Sequence, residues 1–137
     1  MPNKILQDIW ILSEGGIVVF NRVYNPKINE QLFGALMTAL NSFAEELIEG
    51  GPMSFELSSV RYTIFKTNDF LFIANSNKKI KEKRVKEELQ KISEKFFIKY
   101  AEPLENWDSE ISVFSDFEPE IEDSLEETIK KFEKAFW

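Results

Sequence analysis

The stretch ILQDIWILSEGGIVVFNRV, residues 5–23, decides how the fold begins. Its two apolar runs, 5–12 and 17–23, are rich in β-branched and aromatic residues, which favour strands. Between them lies Ser13-Glu14-Gly15-Gly16, and glycine supplies the positive φ that a tight hairpin turn needs. The stretch therefore predicts an antiparallel β-hairpin.

The segment after the hairpin has the pattern of a long amphipathic helix. Asn25 or Asn29 suits the N-cap, Pro26 suits the first helical position, and residues 50–52 (Gly-Gly-Pro) are typical of a helix end. Apolar residues recur at helical spacing in between, at Leu32, Phe33, Leu36, Met37, Leu40, Phe43, Ala44, Leu47 and Ile48. We predict a helix over about 26–49. Its apolar face is wider than one sheet contact requires, and an exposed strip there would be an interaction surface.

Three more strands are expected after this helix. Residues 53–59 alternate apolar and polar side chains, and residues 60–66 alternate again, with Val60, Tyr62 and Ile64 on one side. Residues 70–74 form a short apolar run, and Asn75-Ser76-Asn77 is expected to close the sheet. The break between the first two runs is weakly marked, so one long bent strand is an alternative.

The carboxyl-terminal half is predicted to be largely helical. A helix over about 79–101 would bury Val85, Leu89, Ile92, Phe96 and Tyr100, with Pro103 limiting it. Residues 105–117 are turn-rich with a possible extended piece at 111–114, and an acidic helix is expected from about 118 to 136. The order strand-strand-helix-strand-strand-strand-helix-helix predicts a single α+β layered domain over 1–137, with a five-stranded antiparallel sheet.

The composition excludes several classes of chemistry. The chain has neither cysteine nor histidine, so it lacks a disulfide framework, a Cys or His zinc site, a thiol nucleophile and an imidazole base. Neither glycine pair joins a strand to a helix as a phosphate loop does. An EF-hand style loop starting at Asp116 would need glycine where Ile121 stands. No pair of carboxylates is distinguished by its surroundings. We therefore expect no enzyme, no cofactor and no metal.

The net charge of −7 is unevenly distributed along the chain. Residues 1–101 carry 14 basic and 12 acidic residues, whereas residues 102–137 carry 3 and 12. An acidic protein repels phosphate backbones, so nucleic acid is not expected as a partner. Neither a secretory leader nor a membrane-spanning run is recognisable, which makes the cytoplasm the expected compartment and leaves peripheral membrane contact at most.

A basic run interrupts this acidic sequence where the 79–101 helix is expected to begin. Such a run suits an anionic membrane or an acidic partner, and the alternative is the solvated face of an amphipathic helix with Glu82, Glu87 and Glu88 interspersed. Cations are also disfavoured at a helix amino terminus by the helix dipole. The run consists of Lys78, Lys79, Lys81, Lys83, Arg84 and Lys86.

The order of elements resembles the longin family, the SNARE-like domains of vesicle-trafficking SNAREs, adaptor small subunits, TRAPP components and the signal-recognition-particle receptor. The likeness lies in Ile11-Leu12-Ser13, the Gly15-Gly16 turn, the strand at 17–20, and the order of the helices and strands that follow. The roadblock fold normally begins with a helix before its first hairpin, and PAS domains place several short helices where one long helix is predicted here.

The resemblance implies a longin-like (profilin-like) fold and a non-enzymatic platform for trafficking-like or GTPase-regulating assemblies. The implied partner is a small GTPase or a sister longin or roadblock domain, in a homodimer or heterodimer. In this family the first helix and the third strand commonly form the contact surface, which here implies Phe33, Leu36, Met37, Leu40, Ser54, Phe55 and Leu57.

Three departures and one alternative accompany the resemblance. The sequence has a long acidic third helix, no SNARE coiled-coil segment and no cysteine for a lipid, which argues against a fusion SNARE. The Lys/Glu-rich composition suggests an archaeal source. The alternative function is a small-molecule sensor of PAS or profilin type, which would need a cavity between sheet and helix.

Overall fold

Five strands make one antiparallel sheet in the computed structural model, which describes residues 5–13, 18–22, 52–57, 60–108 and 110–121. The strands are β1 (Asp8–Leu12), β2 (Val18–Arg22), β3 (Pro52–Leu57), β4 (Val60–Thr67) and β5 (Phe70–Asn77), in the spatial order β2-β1-β5-β4-β3. The predicted α+β class and the five-stranded antiparallel sheet are confirmed. The predicted helix over 26–49 and the acidic helix beyond residue 121 lie outside the described residues.

Two residues separate β3 from β4 and two separate β4 from β5, and β5 lies in the middle of the sheet. β4 and β5 form a hairpin through Asn68 and Asp69, which have φ values of 51° and 65°. A tight hairpin turn needs positive φ at both central residues, and Asn and Asp tolerate it better than other residues with a Cβ. β5 also pairs with β1, from Asp8↔Asn75 to Leu12↔Leu71, and so connects the two halves of the sheet.

The prediction that residues 75–77 close the sheet was wrong, because β5 continues to Asn77. Asn75 pairs with Tyr62 and Asn77 pairs with Val60 across the β4–β5 ladder. Polar residues of this kind favour turns when water or their own backbone satisfies them. Here the Asn75 side chain is bonded to Asp8 on β1, which keeps the strand extended.

The long helix α1 (Glu82–Lys99) covers one face of the sheet. All five side chains predicted to form its buried line are buried: Val85, Leu89, Ile92, Phe96 and Tyr100. The helix begins at Glu82 rather than near residue 79, because the Arg61 guanidinium donates hydrogen bonds to the carbonyl oxygens of Lys78 (2.9 Å) and Ile80 (2.7 Å). These bonds hold residues 78–80 as a turn. None of the helices in the described ranges has the length and apolar character to cross a bilayer.

One expectation for the segment after α1 was also wrong. α1 ends at Lys99, before Pro103, and Pro103 lies inside a separate short helix, α2 (Ala101–Glu105), where a first-turn proline loses no intrahelical hydrogen bond. The extended piece expected at 111–114 is a 3₁₀ helix, Ile111–Phe114. The Glu110 side chain caps it by accepting a hydrogen bond from the Ser112 amide at 3.2 Å. A third short helix, α3 (Glu118–Ile121), ends the described chain.

The sheet separates two apolar clusters. The helix-side cluster joins β-strand side chains such as Ile9, Ile11 and Phe72 to α1 and to the segment carrying Phe114 and Phe117. The second-face cluster lies on the opposite side of the sheet and consists of Trp10, Leu12, Tyr62, Ile64 and Ile73. The predicted alternation of β4 is confirmed, since Tyr62 and Ile64 belong to the second-face cluster and Phe65 to the other.

Candidate interaction surfaces

The strand β3 is one of the two edges of the described sheet. Along it, Met53, Ser54 and Phe55 are half-buried and Glu56 is exposed. The Phe55 ring stacks on Tyr62, with centroids 5.5 Å apart and planes 10° from parallel. An edge strand has a row of backbone groups directed away from its only neighbour, and these can pair with an incoming strand.

The structure distributes the predicted partner-binding residues over both faces of the sheet. Ser54 lies on the α1 side, where its Oγ is 3.1 Å from Thr63 Oγ1, and Phe55 packs against Tyr62 in the second-face cluster. This alternation follows from the two-residue repeat of a strand, so Ser54 and Phe55 do not share one patch. Leu57 is the last residue of β3. Its side chain, together with Phe33, Leu36, Met37 and Leu40, lies outside what the structure describes.

The six cations of the basic run form a surface around the start of α1, which we call the basic surface (Lys78, Lys79, Lys81, Lys83, Arg84 and Lys86). Five of them are exposed and Lys86 is half-buried. Within the described part of the chain none of the six forms an ion pair. An open depression of about 560 Å³ lies among them, lined by Lys79, Ile80, Lys81, Lys83, Arg84 and Glu87.

Helix stability does not explain the basic surface. Lys81 occupies the N-cap position of α1 and makes no capping hydrogen bond through its side chain, and Glu82 is the only acidic residue of the first turn. Ser, Thr, Asp or Asn would stabilise this end, because they accept hydrogen bonds from the free amides. The positive end of the helix dipole also disfavours cations here. The local sequence is thus unfavourable for the helix at the place where it is most basic.

The other end of α1 is bound to an acidic segment. Tyr100 Oη donates a hydrogen bond of 2.6 Å to Asp116 Oδ1, and Lys99 Nζ lies 3.5 Å from Asp116 Oδ2 and 3.7 Å from Glu120 Oε2. The Tyr100 hydrogen bond and the Lys99 charge hold the pKa of Asp116 below its ordinary value. Burial, followed by the bond to Asp116, raises the pKa of Tyr100. The tyrosine therefore stays neutral and remains a donor at physiological pH.

Replacing Asp116 with asparagine should lower stability at neutral pH and remove part of its acid sensitivity. A carboxyl whose pKa is depressed by folding stabilises the protein above its unfolded value, here 3.8, and loses that effect as the pH falls through the folded value. The difference between wild type and Asp116→Asn should therefore shrink below pH 3.8. Urea unfolding across the acid range measures it. Glu105→Gln is the charge-matched control, and an equal pH dependence in both variants would contradict the prediction.

A buried polar pair on the second face was missed by the sequence analysis. Asp8 and Asn75 are each 2% exposed. Asn75 Nδ2 donates to Asp8 Oδ2 at 2.7 Å, and the Asp8 amide donates to Asn75 Oδ1 at 2.7 Å. Tyr62 lies beside them, and burial raises the pKa of its hydroxyl. That hydroxyl has no partner with hydrogen-bond geometry among the described residues. The only sequence signal was a charged residue within an apolar strand.

These contacts give the buried pair a structural role. One hydrogen bond joins the two side chains and the other joins the Asp8 amide to the Asn75 side chain, and together they fix the register between β1 and β5. Across the described ranges no three carboxylates come close enough together to hold a metal ion.

The sequence matches no protein-family model, and no curated protein matches it.

Proposed function

We propose that this chain is a non-enzymatic protein-interaction domain of longin type, with β3 as part of its binding surface. Its partner is a small GTPase or a sister longin or roadblock domain, in a trafficking-like or GTPase-regulating assembly in the cytoplasm. The observation that carries the proposal is the position of β3 at an edge of the sheet. The order of the described strands and helices agrees with the resemblance and supports it.

The two edges of the described sheet are not equally suited to accept a partner strand. In the ladder between β1 and β2 the register shifts between Ile11 and Leu12. Such an irregularity discourages the pairing of another strand with the outer side of β2. The β2 side is also occupied by the segment after α2, since Arg22 Nε lies 3.8 Å from Glu118 Oε2 and the Phe20 ring packs edge-on against Phe117. β3 pairs with β4 in regular register from Pro52↔Phe65 to Leu57↔Val60.

Two residues of β3 limit where another strand can pair with it. Pro52 at its first position cannot donate a backbone hydrogen bond, and Glu56 places a charge beside the edge. Both features limit indiscriminate strand pairing. A partner strand can pair between them and reach the half-buried side chains of Met53 and Phe55 on one face of the sheet.

Partner binding should protect the β3 amides from hydrogen exchange while the β2 amides change little. The measurement compares the free protein with concentrated samples, for a second copy, and with a purified small GTPase in its GDP and GTP-analogue states. Glu56→Lys should weaken the association by about tenfold, because it reverses the charge at the contact. Asn21→Lys is the control, since Asn21 is exposed on the opposite edge.

These measurements distinguish a wrong assignment of the binding edge from a wrong function. Sedimentation and calorimetry give the affinities of both variants, and thermal unfolding checks that they are folded. If association protects β2 and leaves β3 exchanging as in the free protein, the assignment of β3 is wrong. If the protein is a monomer at all concentrations and binds neither small GTPases nor longin or roadblock domains, the proposed function is wrong.

A further inference from the structure

We propose that the basic surface docks the domain onto an anionic membrane, with the phosphate of a lipid head group in the depression between Lys79, Lys81 and Arg84. This contact uses other residues than the β3 contact and does not depend on the proposed protein partner. It assigns a role to the six cations that neither the helix nor the described ion pairs explain.

The shape of the basic surface is fixed by contacts from the body of the domain. Arg61, on the neighbouring strand β4, holds the carbonyl oxygens of Lys78 and Ile80, and the Asn77 side chain accepts a hydrogen bond of 2.9 Å from the Lys79 amide. The backbone carrying the lysines is thereby ordered, while their side chains extend into solvent. A preorganised set of cations binds an anionic surface with a smaller loss of backbone entropy than a free tail.

The charges of the basic surface are not neutralised by ion pairs with described residues. Lys91, Lys99 and Arg22, elsewhere in the domain, each lie within 4 Å of a carboxylate. The cations of the basic surface have no such carboxylate among the described residues, so their charge is directed outwards. Clusters of four to eight Lys and Arg are typical of binding to anionic lipids.

The distribution of apolar side chains favours a lipid surface over an acidic protein. Protein interfaces are usually centred on buried aromatic or aliphatic anchors. In the described part of the chain the exposed large hydrophobic residues are Ile98 (79%), Ile111 (46%) and Val113 (38%). Ile98 lies at the last turn of α1, and the 3₁₀ helix packs through Phe114 on Tyr100. Among the residues that line the depression, Ile80 is apolar, but it is half-buried and packs against the helix-side cluster. The basic surface therefore offers charge without an exposed anchor, which is sufficient for a membrane.

The acidic residues that the structure describes at the far end of α1, here called the acidic end, do not oppose this docking. Asp116 and Glu120 lie against Lys99, at the opposite end of an 18-residue helix. That helix is about 27 Å long at the standard rise per residue. The screening length in physiological salt is about 8 Å, so repulsion between the acidic end and the membrane is largely screened. The separated charges instead orient the domain with the start of α1 towards the lipid.

Vesicle co-sedimentation of the full chain tests the proposal. We expect binding to phosphatidylcholine vesicles containing phosphatidylserine, no binding to phosphatidylcholine alone, and loss of binding as salt is raised. Each cation at an anionic surface contributes roughly fivefold to partitioning, so Lys81→Gln/Lys83→Gln should reduce it by about 30-fold. The control Lys66→Gln/Lys91→Gln changes the net charge equally and should stay within about twofold of wild type.

Two further titrations test whether the anion that binds is a lipid head group or a soluble anion. Inorganic phosphate and a poly-glutamate peptide are titrated into the protein in calorimetry at matched ionic strength. Vesicle binding with weak or absent binding of both soluble anions supports a lipid surface. Binding of either soluble anion without vesicle binding overturns it, as does an equal loss in the two double variants. Thermal unfolding confirms that both variants are folded, and loss of β3-dependent association has no bearing on this result.

Discussion

Replacing Phe96 with alanine is expected to destabilise the domain by about 4 kcal/mol, a large fraction of the roughly 5–15 kcal/mol by which native proteins are stable. Phe96 is fully buried in the last third of α1. Its ring centroid lies between 5.2 and 5.7 Å from those of six other aromatic residues, namely Phe70, Phe72, Phe97, Tyr100, Phe114 and Phe117. These residues come from β5, from α1 and from the segment after α2, so the cavity would loosen all three.

Chemical unfolding followed by far-ultraviolet circular dichroism measures this loss. The matched control is Ile98→Ala, two residues further along the same helix, where the side chain is 79% exposed. Its free energy of unfolding should change by less than about 0.5 kcal/mol. Similar losses in the two variants would show that Phe96 is not the centre of the helix-side cluster.

Replacing Asn75 with alanine is expected to cost about 3 kcal/mol, although the side chain contributes little apolar surface. The change removes both 2.7 Å hydrogen bonds to Asp8, one of which reaches a carboxylate in a nearly water-free position. Hydrogen bonds to charged groups are worth more than neutral ones, and a buried group that loses a partner bears its desolvation penalty.

The control for this prediction lies on the same strand. Asn77 is exposed, and its side chain accepts one hydrogen bond from the Lys79 amide. Asn77→Ala should cost about 1 kcal/mol or less. Urea unfolding at neutral pH gives both values. If Asn75→Ala were as mild as Asn77→Ala, the buried pair would not stabilise the pairing of β1 with β5.

Local patterns were enough to predict the regular parts of the fold. The three- and four-residue spacing of Val85, Leu89, Ile92 and Phe96 identified the buried side of α1, and all four are buried. Strand alternation placed Tyr62 and Phe65 on opposite faces. In both cases the burial of a side chain depends on its own position in a repeat, which a sequence displays directly.

Predictions failed where a distant side chain determines the backbone. The start of α1 depends on Arg61, and the length of β5 depends on Asp8, which is 67 residues away from Asn75. Secondary-structure propensities depend on a residue and its near neighbours in sequence, so they do not include contacts between residues far apart in the sequence.

The candidate surfaces were predictable to different degrees. The cations of the basic surface are evident in the sequence, but the depression between them depends on the turn that Arg61 holds. Ser54 and Phe55 were grouped as one contact, whereas the strand places them on opposite faces. A resemblance in element order points only to a candidate strand, and the register decides which of its side chains lie on the same face.

The central position of β5 has a consequence for how the protein is made. The hairpin of β1 and β2 and the hairpin of β3 and β4 each pair neighbours in sequence, and β5 alone connects them. Its pairing with β1 closes a loop of 67 residues, the slow and entropically costly kind of contact. On the ribosome, the β1 edge therefore cannot pair with β5 until residues 71–75 have emerged. Until that moment no β5 is present to join the two hairpins.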